Sequence, residues 1–201
     1  MKNYYYILAF CTFILFYILR LTYETPVAEA FDNSAFYLLY GNGFISLFHY
    51  LGKTTFIFAV SFILLIVIWF QKKGNRLMFF VVLSVGGGYG LYQFLKRVIE
   101  RPRPDIVNQI STFSFPSGHA LHGIVYLFTV AYVVTHLFSS KRASLIVWIA
   151  AVILVLLIGL SRIAEARHFA SDIIAGWSLG YSWFILCLWW YKQGSLEQRN
   201  T

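Results

Sequence analysis

Charge is scarce in this chain: only 12% of its 201 residues are Asp, Glu, Lys or Arg, against roughly 25% in an average soluble domain. That deficit excludes an ordinary water-facing surface. Cysteine is nearly absent too. Two thiols, Cys11 and Cys187, make no disulfide framework, and neither sits in a Cys-x5-Arg phosphate loop, so both read as buried packing residues of apolar runs. Proline numbers four, and with no Pro/Ser linker, internal repeat or low-complexity tract, nothing marks a second domain. Hydrophobic residues fill the space instead, at 59% of the chain.

A bilayer core about 30 Å thick takes about 20 predominantly apolar residues per helical crossing. Six such runs are present, at 4 to 22, 54 to 70, 77 to 95, 118 to 138, 144 to 160 and 172 to 191. The sequence therefore predicts an all-α, polytopic membrane bundle of six transmembrane helices, one domain over 1 to 201. Only Lys2 precedes the first run as a basic residue, and the run ends well before the small-x-small stretch Ala28-Glu29-Ala30. It reads as a retained helix rather than a secretory signal. The loop 24 to 53 mixes apolar and polar positions, which suits a short interfacial helix and a plain connector equally.

With the N-terminus placed in the cytoplasm, the 16 Lys and Arg residues divide equally between the two sides. Six of the outer set crowd into two loops, around 96 to 103 and 162 to 167. Setting that cluster aside leaves an inside bias in basic residues. The expectation is a multi-pass protein of the cytoplasmic (plasma) membrane, both termini cytoplasmic, with the cluster on the extracytoplasmic face.

Alternating helices bring the end of the third run, the start of the fourth, the end of the fifth and the start of the sixth to one face. Three polar blocks arrive there: 96 to 105 (KRVIERPRPD), 116 to 119 (PSGH) and 161 to 172 (SRIAEARHFASD). Ionisable groups at membrane depth cost about 2.5–3.5 kcal/mol each on insertion scales, so their clustering marks a site. Lys96, Arg103 and Arg162 are cations suited to phosphate oxygens. Pro116 cannot continue a helix, Ser117 is a good N-cap, and Gly118 admits a close ligand, so the fourth helix would aim its first N–H groups at the same anion. His168 lies four residues before Asp172, one helical turn, which fixes a tautomer with one ring nitrogen free to attack. His168 is the predicted nucleophile, and His119, on a separate segment, the predicted general acid.

Other residues have plainer readings. Arg97 and Arg101 suit snorkelling anchors at a helix end, and Glu100 and Glu165 charge partners for nearby arginines. His122 reads as structural or substrate-lining, since no further ligand at metal-like spacing accompanies the His119/His122 pair. His49 and His136 read as interfacial. The stretch 84 to 90 (SVGGGYG) faintly resembles a potassium-channel filter but lies inside a continuous apolar run, so Gly86 and Gly90 are expected to form a small-xxx-small packing face.

The three blocks resemble the type 2 phosphatidic acid phosphatase family, whose site pattern is shared with vanadium haloperoxidases and bacterial acid phosphatases. The pattern Lys-x6-Arg-Pro, Pro-Ser-Gly-His and Ser-Arg-x5-His-x3-Asp is filled at every specified position by Lys96 to Pro104, Pro116 to His119 and Ser161 to Asp172. The resemblance implies a phosphohistidine on His168 supported by Asp172, leaving-group protonation by His119, and phosphate binding by Lys96, Arg103, Ser117, Gly118 and Arg162. It implies no metal and no cofactor. Size and layout are similar to short bacterial enzymes acting on phosphatidylglycerophosphate, phosphatidic acid or undecaprenyl pyrophosphate. The expected partners are thus a membrane lipid phosphate substrate and the bilayer, with no nucleic acid and no obligate protein partner. Two other readings compete: a phosphatase of soluble phosphate esters, and a non-catalytic lipid-phosphate binder or transporter.

Overall fold

The structure, a computed structural model, describes residues 4–137 and 140–200, the side chains of 195–200 excepted. Lys2, residue 138 at the end of the fourth run, and the Arg199 side chain lie outside the described residues. Among the described residues every regular element is helical. The chain runs α1 (Tyr4–Thr22), α2 (Pro26–Leu39), α3 (Gly43–Ser46), a 3-10 segment (Leu47–Gly52), α4 (Thr54–Phe70), α5 (Asn75–Val82), a π segment (Leu83–Gly87), α6 (Gly88–Val98), α7 (Gly118–Leu137), α8 (Lys141–Ala164) and α9 (Ala170–Asn200).

Five of these stretches are long and apolar enough to cross a membrane alone: Tyr4–Thr22, Asn75–Val98, Gly118–Leu137, Lys141–Ala164 and Ala170–Gly194. The second run, 54 to 70, differs from expectation. With 17 residues, α4 spans about 25 Å at 1.5 Å per residue, short of the hydrocarbon thickness. It qualifies as a crossing only together with Gly43–Gly52, from which it is bent by 53°. The third crossing is continuous from Asn75 to Val98, with a π turn at its centre.

That π turn corrects the expected glycine face. Nothing lies within 4 Å of a Cβ built on Gly86 or Gly90, whereas one on Gly87 would sit 2.7 Å from the Trp183 ring. The extra residue of a π turn rotates the helix beyond it, so Gly87 and Gly88 face α9 instead. Trp183 Nε1 donates to the Ser84 carbonyl at 2.9 Å, which satisfies a backbone group that the widened turn leaves available.

Lipid supplies little hydrophobic drive between helices, so close approach of backbones does the packing. The seam between α7 and α9 is made this way by Gly176 and Gly180, whose Cα atoms face Ser117, Ala120, Leu121 and Ile124. Phe115, Leu121, Val125, Ile158 and Ala175 form the core around that seam. A second cluster, with Leu77, Phe80, Phe184 and Cys187, lies nearer the other end. Helix α1 packs along α9 but buries only Phe16 fully. Cys11 is consequently exposed on its lipid side and Cys187 alone is buried, a correction to the reading of both as buried.

The loop 24 to 53 folds as helix. Thr25 caps α2 by accepting the Ala28 N–H, and Pro26 occupies its first turn, where a missing N–H costs nothing. Val27, Phe31, Tyr37 and Leu38 remain exposed on its outer face, while Asp32 is buried against α9.

Candidate active site

The first block begins in the last turn of α6. Lys96 is buried there, and its ammonium donates to the Phe113 carbonyl. Past Val98 the chain leaves the helix, since Ile99 is extended, and residues 99–117 fold back over the bundle. Ser114 ties this loop to itself through the Arg101 and Pro102 carbonyls, at 2.8 Å each. The Gln109 amide ties it to the end of α8 through the Ala166 carbonyl at 2.9 Å. Arg103 is thereby aimed inward: its Nε donates to Thr112 O at 2.8 Å and its Nη1 lies 3.1 Å from His168 Nε2.

The second block starts α7. Ser117 stands at the N-cap position, its carbonyl accepting the Leu121 N–H at 3.0 Å, yet its hydroxyl makes no cap bond and is buried without a partner. Its own N–H is held by the Asp172 carbonyl at 3.0 Å, which locks the second block to the third. His119 sits one residue into the helix with its ring against Gly52, where an added Cβ would come within 2.5 Å of the His119 Cδ2. The same Cβ would meet Ile158 Cγ2 at 2.8 Å, so glycine at 52 lets the chain lie against both side chains.

The third block joins α8 to α9. Arg162, in the last turn of α8, is buried and paired with Glu165, and Glu165 Oε1 lies 2.7 Å from His49 Nδ1. Glu165 is thus a charge partner, as its position suggested. His49 is more than an interfacial ring, because the Ser46 carbonyl and Glu165 both engage Nδ1. His168 is 4% exposed and Asp172 fully buried. Asp172 is the third residue of α9; its Oδ2 accepts the Phe169 N–H at 3.0 Å and faces His168 Nδ1 at 3.4 Å. A carboxylate reaching back to the residue before the helix is half of a capping box, so one side chain both starts α9 and orients the imidazole.

The electrostatics favour a neutral His168. Burial, and then the positive charges of Arg103, Lys96 and Arg162, lower its pKa well below the ordinary imidazole value. With a proton on Nδ1 facing Asp172, Nε2 keeps a lone pair, and Arg103 donates to it.

The structure therefore brings seven of the eight predicted side chains and backbones into contact or charge range: Lys96, Arg103, Arg162, His168 and Asp172 around one imidazole, Ser117 through Asp172, and His119 facing Arg162 and His168. Gly118 comes directly after Ser117, and a Cβ there would strike the Tyr92 ring at 2.7 Å. Among the described residues six buried side-chain polar atoms lack a partner, and three of them belong to this cluster: Ser117 Oγ, His119 Nε2 and Arg162 Nε. An unmade bond to a buried polar atom costs roughly 1–3 kcal/mol, so three together mark a place built for a polar ligand. A cavity of ≈ 210 Å³ bordered by Asp32, Asn33, Phe36, Asp105 and Ile163 reaches His168 from the side of α2. Among the described residues no group of three or more His, Cys, Asp and Glu side chains is placed to hold a metal ion.

Arg97 is exposed, as an anchor should be. Arg101 is not an anchor. It is 5% exposed and lies between the Tyr23 and Phe169 rings, at 4.6 and 4.1 Å. Its guanidinium binds Asp172 Oδ1 at 2.8 Å and Asp32 Oδ2 at 2.9 Å. The helix that carries it ends at Val98, so Arg101 is on the inward-folding loop rather than at a lipid-facing helix end. Sequence reasoning passed over Asp32 and Ser171 as well. The only available signal was an acidic residue within the mixed pattern of 24 to 53.

Residues 77–195 match the model of the PAP2 superfamily, a range that contains all three blocks. Phosphatidylglycerophosphatase B of Bacillus subtilis (strain 168) is 37% identical over 143 residues, 68% of this chain and 68% of that protein. The crystal structure of a transmembrane PAP2 type phosphatidylglycerolphosphate phosphatase from Bacillus subtilis has a TM-score of 0.83 at 27% identity, covering 92% of this chain and 96% of that one. Six candidate crossings, three assembled blocks and these likenesses agree: the chain is a multi-pass membrane phosphatase and belongs to the PAP2 superfamily.

Proposed function

We propose that this phosphatase removes phosphate from a membrane lipid phosphate through a phosphohistidine on His168, without a metal ion. The observation that carries the reading is the cluster of unpartnered buried atoms Ser117 Oγ, His119 Nε2 and Arg162 Nε beside His168 and Arg103. A phosphate would accept from the serine hydroxyl, from both arginines and Lys96, and from the first N–H groups of α7 beginning at Gly118, which have no intrahelical acceptor.

Binding would draw Arg103 from His168 Nε2 onto a phosphate oxygen. Nε2 then attacks phosphorus while the bond to the leaving oxygen breaks, and His119 gives that oxygen its proton. Asp172 keeps the Nδ1 proton in place and balances the positive charge of the phosphorylated ring. In the second half, His119 takes a proton from water as the water attacks phosphorus, the N–P bond breaks, and inorganic phosphate leaves. Side chains Lys96, Arg103 and Arg162 carry the charge that spreads over the phosphoryl oxygens, which is the main demand of such transfers. Binding alone would need only these cations. The ordered His168–Asp172 pair and the second histidine favour catalysis over a silent binder.

The favoured substrate is phosphatidylglycerophosphate, with phosphatidic acid and undecaprenyl pyrophosphate as the other candidates, because the named relatives act on the first. The tail would stay among lipid-facing helices while the headgroup enters the cationic site. The inside bias of the remaining basic residues supports cytoplasmic termini and a site at the outer face. Phosphate release from the three lipids in detergent micelles, with and without EDTA, tests the proposal. Turnover of at least one lipid, insensitive to EDTA and absent in His168→Ala, is expected; undiminished rates in His168→Ala overturn the mechanism.

A further inference from the structure

Asp32 lies outside the three blocks and 140 residues before Asp172, yet the two carboxylates grip the same guanidinium. Arg101 Nη2 donates to Asp32 Oδ2 at 2.9 Å, and its Nη1 donates to Asp172 Oδ1 at 2.8 Å and to Ser171 Oγ at 2.7 Å. The Ser171 hydroxyl in turn donates to Asp32 Oδ2 at 2.7 Å, and the Ser171 N–H to Asp32 Oδ1 at 2.7 Å. Both terminal nitrogens of the guanidinium and both oxygens of each carboxylate have partners here, and the three charged side chains are 6% exposed or less. Two aromatic faces, Tyr23 and Phe169, hold the guanidinium plane.

From this geometry we infer that Asp32 and Arg101 are positioning residues for the reaction, fixing Asp172 so that Asp172 fixes His168. The inference rests on His168 being the nucleophile. Arg101 occupies one oxygen of Asp172 and leaves the other to the Phe169 N–H and His168 Nδ1. The carboxylate therefore has one orientation, and the imidazole inherits it. Asp32 does two things in this chain of contacts. It prevents Arg101 from swinging wholly onto Asp172, and it accepts the Ser171 N–H, an orphan donor in the first turn of α9 that Phe169, lacking a polar side chain, cannot satisfy.

Charge leads to the same conclusion. Asp32, Arg101 and Asp172 sum to one negative charge facing a ring that turns cationic when Nε2 takes the phosphoryl group and Nδ1 keeps its proton. Neutralising Asp32 brings that sum to zero. The loss falls on the phosphorylated state and the approach to it, not on substrate binding, which uses cations on the other side of the imidazole.

Asp32→Asn, in the full chain in detergent micelles with the best substrate of the three lipids, is the test. Expected is a fall in kcat of about 10–100-fold, the range typical of partners that orient a reacting ligand from one shell out, with KM within about twofold. Vanadate, which mimics the transition state by engaging Nε2, should inhibit less strongly in step with kcat, while inorganic phosphate should inhibit as in wild type. A purely structural role would instead loosen all of these together or none. Arg101→Lys carries the same test on a chain that keeps its buried cation but loses the fork. Wild-type kcat in either folded variant, or a matching loss of phosphate affinity, overturns the inference. His168→Ala separates the two claims: if it is dead while Asp32→Asn runs at full rate, only the positioning role fails, whereas an active His168→Ala removes the nucleophile itself.

Discussion

Arg103 Nη1 lies 3.1 Å from His168 Nε2, donating to the lone pair that the proposed chemistry needs. The same guanidinium is anchored by Nε to Thr112 O and by Nη2 to Thr112 Oγ1. It is held at the edge of the imidazole, its Nη1 also donating to the Arg167 carbonyl; in the proposed mechanism Nη1 turns from His168 Nε2 to a phosphate oxygen. Arg103→Ala should lower kcat/KM by about 10²–10³-fold, the usual effect of removing one preorganised donor to a developing anion. Arg103→Lys should recover little, because a point charge cannot keep both Thr112 bonds and the phosphate contact. Steady-state phosphate release measures both.

Acid should destabilise this protein through His168. Its folded pKa is pushed far down by burial and by Arg103, Lys96 and Arg162, whereas the unfolded chain titrates near the ordinary value of about 6.5. Above that value both states are neutral here and the residue adds no pH dependence. Below it the unfolded state binds a proton that the folded state refuses, so stability falls as pH drops. The thermal midpoint of wild type in micelles should decline between pH 7 and 5 more steeply than that of His168→Gln. Equal slopes would mean that the ring accepts a proton in place, despite three cations facing it and one carboxylate, Asp172, behind it.

The parts of this architecture that the sequence announces are those under a local physical constraint. Bilayer thickness forces apolar runs of a set length, so crossings are visible without coordinates, and the exception is instructive. The α4 crossing borrows its remaining length from Gly43–Gly52, a stretch too mixed in polarity to be counted. Residues of the three blocks are visible because helix ends place them by spacing, as with His168 and Asp172 one turn apart. The Asp32–Arg101 pair is hidden because its partners are joined only by folding. Arg101, two residues before Arg103, has the appearance of a helix-end anchor until the chain is seen to leave α6 at Val98 and turn inward. The π turn at Leu83–Gly87 likewise has no one-residue signature, and it moved the packed glycines from 86 and 90 to 87 and 88.

His119 can be separated from His168 by the leaving group. A general acid contributes about 10²–10⁴-fold when the departing oxygen is a poor leaving group. His119→Ala should therefore cripple turnover of an alkyl lipid phosphate. An aryl phosphate with an acidic phenol leaves unaided, so in a single-turnover burst of leaving-group release, which precedes the water step that also uses His119, the same variant should lose far less on it, while His168→Ala should be inactive on both. Equal losses of His119→Ala on the two esters would assign His119 to binding.

The α7–α9 seam ties packing to the candidate site, because its first turn on one side carries Ser117, Gly118 and His119 and on the other Asp172. A methyl on Gly176 would lie 2.7 Å from the Ser117 carbonyl, 2.9 Å from the Ala120 Cβ and 3.1 Å from the Leu121 nitrogen. Two of those neighbours are backbone and cannot rotate away. Gly176→Ala must therefore part the helices where Ser117 N–H meets the Asp172 carbonyl. The expected cost is about 1–3 kcal/mol of stability, as for other overpacked contacts, together with a kcat at least about tenfold lower, since displacements near 1 Å at a reacting centre are worth more than that. Gly86→Ala is the control on the third crossing. Nothing lies within 4 Å of its added methyl, so turnover should match wild type and the thermal midpoint should hold or rise, alanine being favoured over glycine in a helix by about 1 kcal/mol. A damaging Gly86→Ala beside a harmless Gly176→Ala would place the close contact on the wrong helix pair, and with it the meeting of Ser117 and Asp172.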